Sequence, residues 1–87
     1  MVKQKVTVKN ETGLHLRPAG LLCRTAMLYK SHITLAYEDT VANAKSVLSV
    51  LGACVKSGDE IMLMCDGTDE EMALSEIITL IESGLGE

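Results

Sequence analysis

The segment ETGLHLRPAG, residues 11–20, places a titratable ring and a fixed cation beside the only proline of the chain. His15 and Arg17 flank one leucine, and Pro18 follows at once. Because proline is tolerated only in the first turn of a helix, we expect a helix to begin near His15 or Leu16. The first N–H groups of a helix lack intrahelical partners and attract anions. The pattern therefore predicts an anion site that the guanidinium of Arg17 can complete.

An exposed imidazole beside an anion site has two chemical uses: it can act as a general base, or it can be a nucleophile that itself becomes phosphorylated. A general base normally needs a second group. The other histidine, His32, lies far away in the sequence, and no serine–histidine–aspartate arrangement is visible. The nucleophile needs only a histidine, a positive cradle and space for a partner. The alternative is that His15 is a surface residue at a helix start, and its position alone does not decide between the two.

Composition excludes several classes of protein. The chain has 87 residues, which is enough for one domain, and its core must be aliphatic because it contains two tyrosines but no phenylalanine or tryptophan. A net charge of −4 argues against a nucleic-acid binder. The cysteines Cys23, Cys54 and Cys65 have no metal-binding spacing and are expected to be small buried hydrophobes in a reducing compartment. With no signal peptide or membrane-length apolar run, we expect a cytoplasmic protein that needs no metal or cofactor.

Two periodicities alternate along the first half of the chain. A period of two predicts a half-buried strand whose inner face carries Val2, Gln4, Val6 and Val8. After the turn residues of NETG, a helical stripe begins with the residues Ala19, Leu22, Cys23 and Ala26. Two short strands then surround a tight turn at Glu38–Asp39, with Val41 as the main apolar anchor of the second strand.

The second half predicts two more helices and one strand. Ser46 is expected to cap a short helix that Gly52 ends. A strand follows with Ile61, Leu63 and Cys65 on one face. Thr68 and Glu71 have the spacing of a capping box, and the last helix carries the apolar stripe Leu74, Ile77, Ile78, Ile81 and Leu85. The order β-α-β-β-α-β-α favours an α+β fold: an open-faced sandwich in which three helices cover one face of a four-stranded, mostly antiparallel sheet.

Two segments resemble the motifs of a known family. GLHLRPAG resembles the G-x-H-x-R-P-A signature of HPr, the histidine-containing phosphocarriers of the bacterial phosphoenolpyruvate-dependent sugar phosphotransferase system, and NAKSVLSVLGA is similar to the N-x-K-S segment of that family. The resemblance covers essentially the whole chain and implies a single HPr-like domain over residues 1–87. It implies that Nδ1 of His15 accepts a phosphoryl group from enzyme I and donates it to the A domains of sugar permeases, while Arg17 steadies the group. Such a protein is a carrier without turnover of its own.

The resemblance also implies regulation and a docking surface. The serine matched by Ser46 is a regulatory phosphorylation site in many Gram-positive bacteria, so HPr kinase/phosphorylase and a catabolite-control transcription factor are implied as further partners. The docking surface of the family is apolar and surrounds the histidine and the short helix; the matching residues here are Leu16, Val47, Leu48 and Leu51. Gly20 and Arg24 are further candidates for partner binding, and Arg24 lies on the same helix face as Arg17, where a simple solvated charge is the alternative interpretation. Four apolar residues among the five from 47 to 51 cannot all face a core, which also suggests an exposed partner surface. We expect a monomer.

The chain departs from the family at a few positions, and other functions remain open. Gly20 stands where the family usually has Ala, Thr or Ser, and Ala53 and Cys54 replace what is more often a larger apolar residue followed by Gly or Ala. Glycine in a first turn costs up to about 1 kcal/mol against alanine. A small acylphosphatase-like hydrolase is one alternative, but the chain lacks the glycine-rich phosphate loop that it requires. A regulatory binding module that acts mainly through Ser46 is the other, although such paralogues replace the histidine that is retained at His15.

Overall fold

The computed structural model describes all 87 residues and contains four strands and three helices. In chain order they are β1 (Val2–Thr7), α1 (Leu16–Ala26), β2 (His32–Tyr37), β3 (Thr40–Asn43), α2 (Val47–Gly52), β4 (Glu60–Asp66) and α3 (Glu70–Glu82). This is the predicted β-α-β-β-α-β-α order, and the hairpin between β2 and β3 turns at the expected two residues. None of the helices has both the length and the apolar character needed to cross a bilayer.

The strands form one sheet in the order β1-β4-β2-β3, and every neighbouring pair is antiparallel. Along the central strand β4, the predicted inner face is buried: Ile61, Leu63 and Cys65. Lys3 and Lys5 of β1 pair with Met64 and Met62 of β4 on the opposite face, and both lysines are exposed. The sheet therefore has one buried face and one open face, as predicted.

All three helices contribute to the core on the buried face. α3 packs on β1 and β4, α2 packs on β3, and α1 packs on both other helices. The predicted stripe of α1 is buried together with the first-turn proline: Pro18, Ala19, Leu22, Cys23 and Ala26. The buried residues of α3 are Ala73, Ile77, Ile78 and Ile81. The core is aliphatic apart from Tyr29 and the two buried cysteines, Cys23 and Cys65.

The predicted inner face of β3 is wrong, whereas the predicted inner face of β1 is confirmed by its pairing with the buried face of β4. Val41 is 66% exposed, and its neighbour Ala42 is the buried residue of β3. The sheet register explains this, because Val41 pairs with Ala36 on the open face whereas Ala42 pairs with the buried Leu35. In β1, Gln4 is exposed although its neighbours on the same face are at least partly buried.

The capping box predicted at the start of α3 is also wrong. The N-cap residue is Asp69, not Thr68, and it makes no side-chain cap hydrogen bond. The Asp69 carboxylate instead accepts hydrogen bonds from the backbone N–H groups of Lys30 (2.8 Å) and Ser31 (3.0 Å) and from the Ser31 hydroxyl. These tertiary donors outcompete the local ones. At the other end, α3 stops at Glu82, so the buried Leu85 lies beyond the helix.

α2 ends at Gly52 as predicted, but this glycine does not adopt the left-handed conformation typical of a terminating glycine. Gly52 is the last helical residue, and the left-handed turn falls on Cys54, whose φ is 56°. This conformation is costly for a residue with a side chain. Cys54 is exposed, whereas Cys23 and Cys65 are buried as expected. The expectation of a small buried hydrophobe is therefore correct for two cysteines and wrong for Cys54.

Candidate functional site

His15 occupies the N-cap position of α1, which confirms the predicted helix start. Its backbone is extended (φ −81°, ψ −173°), and its carbonyl oxygen accepts the first helical hydrogen bond, from Ala19 N–H at 2.8 Å. Its side chain makes no capping hydrogen bond and is exposed to solvent. The imidazole is thus accessible to a visiting macromolecule and is not engaged in closing the helix.

The first turn of α1 leaves two backbone donors free for an anion. By helix geometry, the N–H groups of Leu16 and Arg17 have no intrahelical acceptor. Pro18, the third helical residue, has no N–H group, so its burial in the first turn leaves no unsatisfied donor. The two free N–H groups and the positive end of the helix dipole lie directly next to His15.

The loop before His15 is anchored by a close backbone contact. Gly13 has a φ of 66°, and a Cβ at this position would lie 2.6 Å from the carbonyl oxygen of Val55. The same oxygen accepts a hydrogen bond from Leu14 N–H at 3.0 Å, and the Leu14 side chain is buried. Glycine is required here because only glycine allows both the left-handed conformation and the close approach. Leu14 therefore points into the core while His15 faces solvent.

Arg17 and Arg24 lie on the same side of α1, as their spacing of seven predicts. They line one surface cavity of about 350 Å³ together with Leu21 and the segment Leu85–Glu87. Both arginines are exposed and neither forms a salt bridge within 4.0 Å. Both guanidiniums are therefore available to an acidic partner beside the helix start, although the Glu87 carboxylate lines the same cavity.

Three residues of the site were missed by sequence analysis: Asn10, Thr12 and Glu87. The Glu87 carboxylate accepts hydrogen bonds from Asn10 Nδ2 (3.2 Å) and from the Thr12 hydroxyl (2.9 Å to Oε2). These bonds, helped by the positive charge of Arg17, lower the pKa of Glu87 below its usual value. The only signal in the sequence was the turn composition of NETG, which does not reveal a partner more than seventy residues away.

The predicted docking residues share the outer surface of α1 and α2. The two helices run antiparallel: at one end Leu14 N–H meets the Val55 carbonyl, and at the other Lys45 Nζ donates to the Tyr29 carbonyl at 2.7 Å. Leu48 is 82% exposed and Leu16 is 60% exposed, whereas Val50 is fully buried. Val47 and Leu51 are half-buried, so the four apolar residues of α2 do divide between core and surface as expected.

Gly20 lies in the second turn of α1, not the first, because the helix begins at Leu16. A Cβ at this position would meet only the guanidinium of Arg24, at 3.7 Å. Nothing in the packing therefore requires glycine here. Compared with an alanine at this position, Gly20 removes one methyl group from the surface beside Arg24.

Ser46 is the N-cap residue of α2, as predicted. Its hydroxyl oxygen accepts a hydrogen bond from Ser49 N–H at 3.2 Å, and the side chain is half-buried. The neighbouring Lys45 is tied to Tyr29, which follows the end of α1, so Ser46 and His15 lie at opposite ends of the helix pair. The 11 residues of α1 separate these ends by about 16 Å.

His32 takes no part in this arrangement. It begins β2, pairs across the sheet with Asp66 and is exposed on the open face, on the side of the sheet away from the helices. No group of three or more His, Cys, Asp or Glu side chains is close enough together to hold a metal ion.

Comparisons with known proteins agree with this geometry. Residues 2–83 match the family model described as the PTS HPr component phosphorylation site. The chain is 34% identical over 86 residues to phosphocarrier protein HPr of Mycoplasma capricolum, covering 98% of this chain and 97% of that protein. It is 35% identical over 82 residues to the HPr-like protein Crh of Bacillus subtilis, covering 94% of this chain and 96% of that protein.

Solved structures extend the agreement to the fold. The crystal structure of HPr from Thermoanaerobacter tengcongensis superimposes with a TM-score of 0.96 and 38% identity, covering 100% of this chain and 98% of that one. A crystal structure of an HPr dimer from the same organism gives a TM-score of 0.80 with 38% identity and full coverage of both chains. The match over nearly the whole length, together with the exposed histidine at the start of α1, shows that the chain belongs to the HPr family of phosphocarrier proteins.

Proposed function

We propose that this protein carries a phosphoryl group on Nδ1 of His15, accepting it from enzyme I of the phosphotransferase system and donating it to the A domains of sugar permeases. The observation that carries the proposal is the exposed imidazole at the N-cap of α1, which makes no capping hydrogen bond. The lone pair of Nδ1 forms the bond to phosphorus while the bond to the donor breaks, and the donor atom keeps that electron pair. Donation to the permease domain reverses these roles.

Three groups stabilise the transferred phosphoryl group in this proposal. The free N–H groups of Leu16 and Arg17 are placed to donate to phosphoryl oxygens, and the Arg17 guanidinium adds a permanent charge. The two N–H groups are fixed before the phosphoryl group arrives, because they belong to the helix backbone, whereas the exposed Arg17 side chain is free to close on it. Such preorganisation of the backbone donors favours rapid transfer, since little rearrangement of the helix is needed at each step.

The partners bind in this proposal to the surface formed by Leu16, Gly20, Arg24, Val47, Leu48 and Leu51. The exposed leucines offer apolar area beside His15, and the two arginines of α1 complement an acidic partner. Exchange of the group between two partners in turn requires that each binding be weak and brief. We expect the protein to act in the cytoplasm as a monomer, which light scattering at micromolar concentration tests directly.

The test is phosphorylation by enzyme I and labelled phosphoenolpyruvate. We expect an acid-labile, alkali-stable label on the unaltered protein and no label on His15→Ala. His32→Ala is the matched control, because His32 is also exposed but lies on the open face of the sheet, and it should be labelled normally. A protein that takes up no label, or a label that survives His15→Ala, would overturn the proposal.

A second candidate function is regulation through Ser46, and the similarity to the HPr-like protein Crh favours it. HPr kinase/phosphorylase would modify Ser46, and a catabolite-control transcription factor would bind the product. A phosphoserine adds a charge of about −1.5 to −2 beside the docking surface, which would repel the acidic surface of enzyme I without refolding the protein. Sugar uptake distinguishes the candidates: if Ser46→Ala alters it and His15→Ala does not, regulation is the main function.

A further inference from the structure

The loop that leads into His15 is held by a buried asparagine. Asn10 is only 4% exposed, and its Nδ2 donates to the Gly13 carbonyl at 2.6 Å and to the Thr12 hydroxyl at 3.3 Å. Gly13 N–H in turn donates to the Asn10 carbonyl at 3.1 Å. The loop is therefore closed on itself just before the residues that present the imidazole.

Glu87 joins this closed loop to the segment after α3. Its carboxylate accepts from Asn10 Nδ2 at 3.2 Å, and the Thr12 hydroxyl lies within hydrogen-bond distance of both carboxylate oxygens, at 3.1 and 2.9 Å. No other residue outside the loop bonds to the side chain of Asn10 or Thr12. Glu87 is thus the one residue outside the loop that accepts hydrogen bonds from the loop side chains.

The position of Glu87 is itself determined by the fold. Gly84, Leu85 and Gly86 all have positive φ values (96°, 52° and 83°), which turn the chain back toward α1. Leu85 is buried and its N–H donates to the Leu80 carbonyl at 3.1 Å, while Glu87 N–H donates to the Gly84 carbonyl at 3.0 Å. Leu85 therefore anchors the turn, and Glu87 reaches the loop from a folded segment.

We propose that Glu87 is a positioning residue of the phosphoryl site, which holds the loop before His15 in place through Thr12 and Asn10; this inference rests on the carrier function proposed above. The His15 side chain has no hydrogen bond that would orient it, so its direction depends on the backbone that enters α1. Glu87 also lies near Arg17, with which it lines the same cavity. If the hydrogen bonds of Glu87 to the loop are lost, the imidazole stays exposed, but its orientation toward the phosphoryl donor becomes less well defined.

Two matched pairs of variants test the proposal. Thr12→Val removes the hydroxyl at nearly constant shape, and Thr12→Ser keeps it. Glu87→Ala removes the acceptor, and Glu87→Gln keeps an acceptor oxygen without the charge. Thr12 and Glu87 are both exposed, so all four variants should fold, and their urea midpoints verify this. The measurement is kcat and KM for phosphoryl transfer from enzyme I, with this protein as the varied substrate.

We expect Thr12→Val and Glu87→Ala each to lower kcat by at least about fivefold, the equilibrium effect of losing one hydrogen bond of typical net strength. Their KM should not change, because the docking leucines are untouched. Thr12→Ser and Glu87→Gln should stay within about twofold of the unaltered protein. Equal effects of Glu87→Gln and Glu87→Ala would show that charge near Arg17, not position, matters and would overturn the inference.

The remaining outcomes separate this inference from the proposed function. If the unaltered protein accepts the phosphoryl group and Thr12→Val and Glu87→Ala match its kcat, the inference alone is wrong. If the unaltered protein accepts no phosphoryl group at all, the carrier function is wrong and the inference falls with it.

Discussion

Gly13→Ala tests whether the loop before His15 is pressed against the Val55–Lys56 backbone. The new Cβ would lie 2.6 Å from the Val55 carbonyl oxygen and 2.7 Å from the Lys56 Cα. Both atoms belong to the backbone and cannot rotate away. The loop must therefore move, and the Leu14 hydrogen bond to Val55 moves with it.

Two contributions set the size of the effect. Alanine at a φ of 66° costs about 1 kcal/mol relative to glycine. Forcing a methyl group into a space that is already filled costs about 1–3 kcal/mol more, as in overpacked protein cores. We expect the free energy of unfolding to fall by about 2 to 4 kcal/mol, which is a large part of the stability of a small domain.

Gly58 supplies the matched control. Its φ is also positive, 91°, but no atom lies within 4 Å of the position that its Cβ would take. Gly58→Ala therefore carries the backbone strain without the crowding and should cost only about 1 kcal/mol. Urea unfolding followed by circular dichroism measures both variants, and transfer from enzyme I should slow only in Gly13→Ala. If the two variants unfolded at the same urea concentration, the close contact at Val55 would not exist in solution.

Three further predictions concern the site and its surroundings. Arg17→Ala should slow phosphoryl transfer by about tenfold or more with an unchanged urea midpoint, because the side chain is exposed; a lower midpoint would make Arg17 structural. Ser46→Ala should cost about 1 kcal/mol in urea unfolding through loss of the α2 cap. The hydrogen bond to Glu76 raises the pKa of Tyr29 to about 12, so ultraviolet titration of Tyr37→Phe should show its single transition near there. That bond stabilises the fold below pH 10 and is lost as pH rises through about 12.

The elements with a clear period and a local boundary signal could be predicted from sequence. β4 is a short apolar run, residues 61–65, bounded by Glu60 and Asp66 and flanked by turn residues. α1 has both its apolar stripe and its proline, so the helix start at His15 could be predicted directly. The inner face of β3 could not be predicted, because the larger Val41 is the better hydrophobe and only the pairing with β2 turns Ala42 inward. Period alone does not fix register.

Contacts between distant segments account for the other errors. The start of α3 has a good local capping sequence, but the Asp69 carboxylate binds the backbone of Lys30 and Ser31 instead. The same limitation applies to the candidate site. His15 and Arg17 stand in one short motif and were found, whereas Glu87 reaches Thr12 from 75 residues away and leaves no periodic signal.

The strained turn after α2 has a practical consequence for studying the protein. Cys54 is the one exposed thiol, because Cys23 and Cys65 are buried, and burial raises the pKa of both. The Cys54 N–H donates to the Leu51 carbonyl, and the carbonyl of the next residue, Val55, accepts the hydrogen bond from Leu14 just before His15. A maleimide fluorophore should therefore attach to native protein at a single place, beside the docking surface. Its emission would report complex formation in real time without any engineered cysteine.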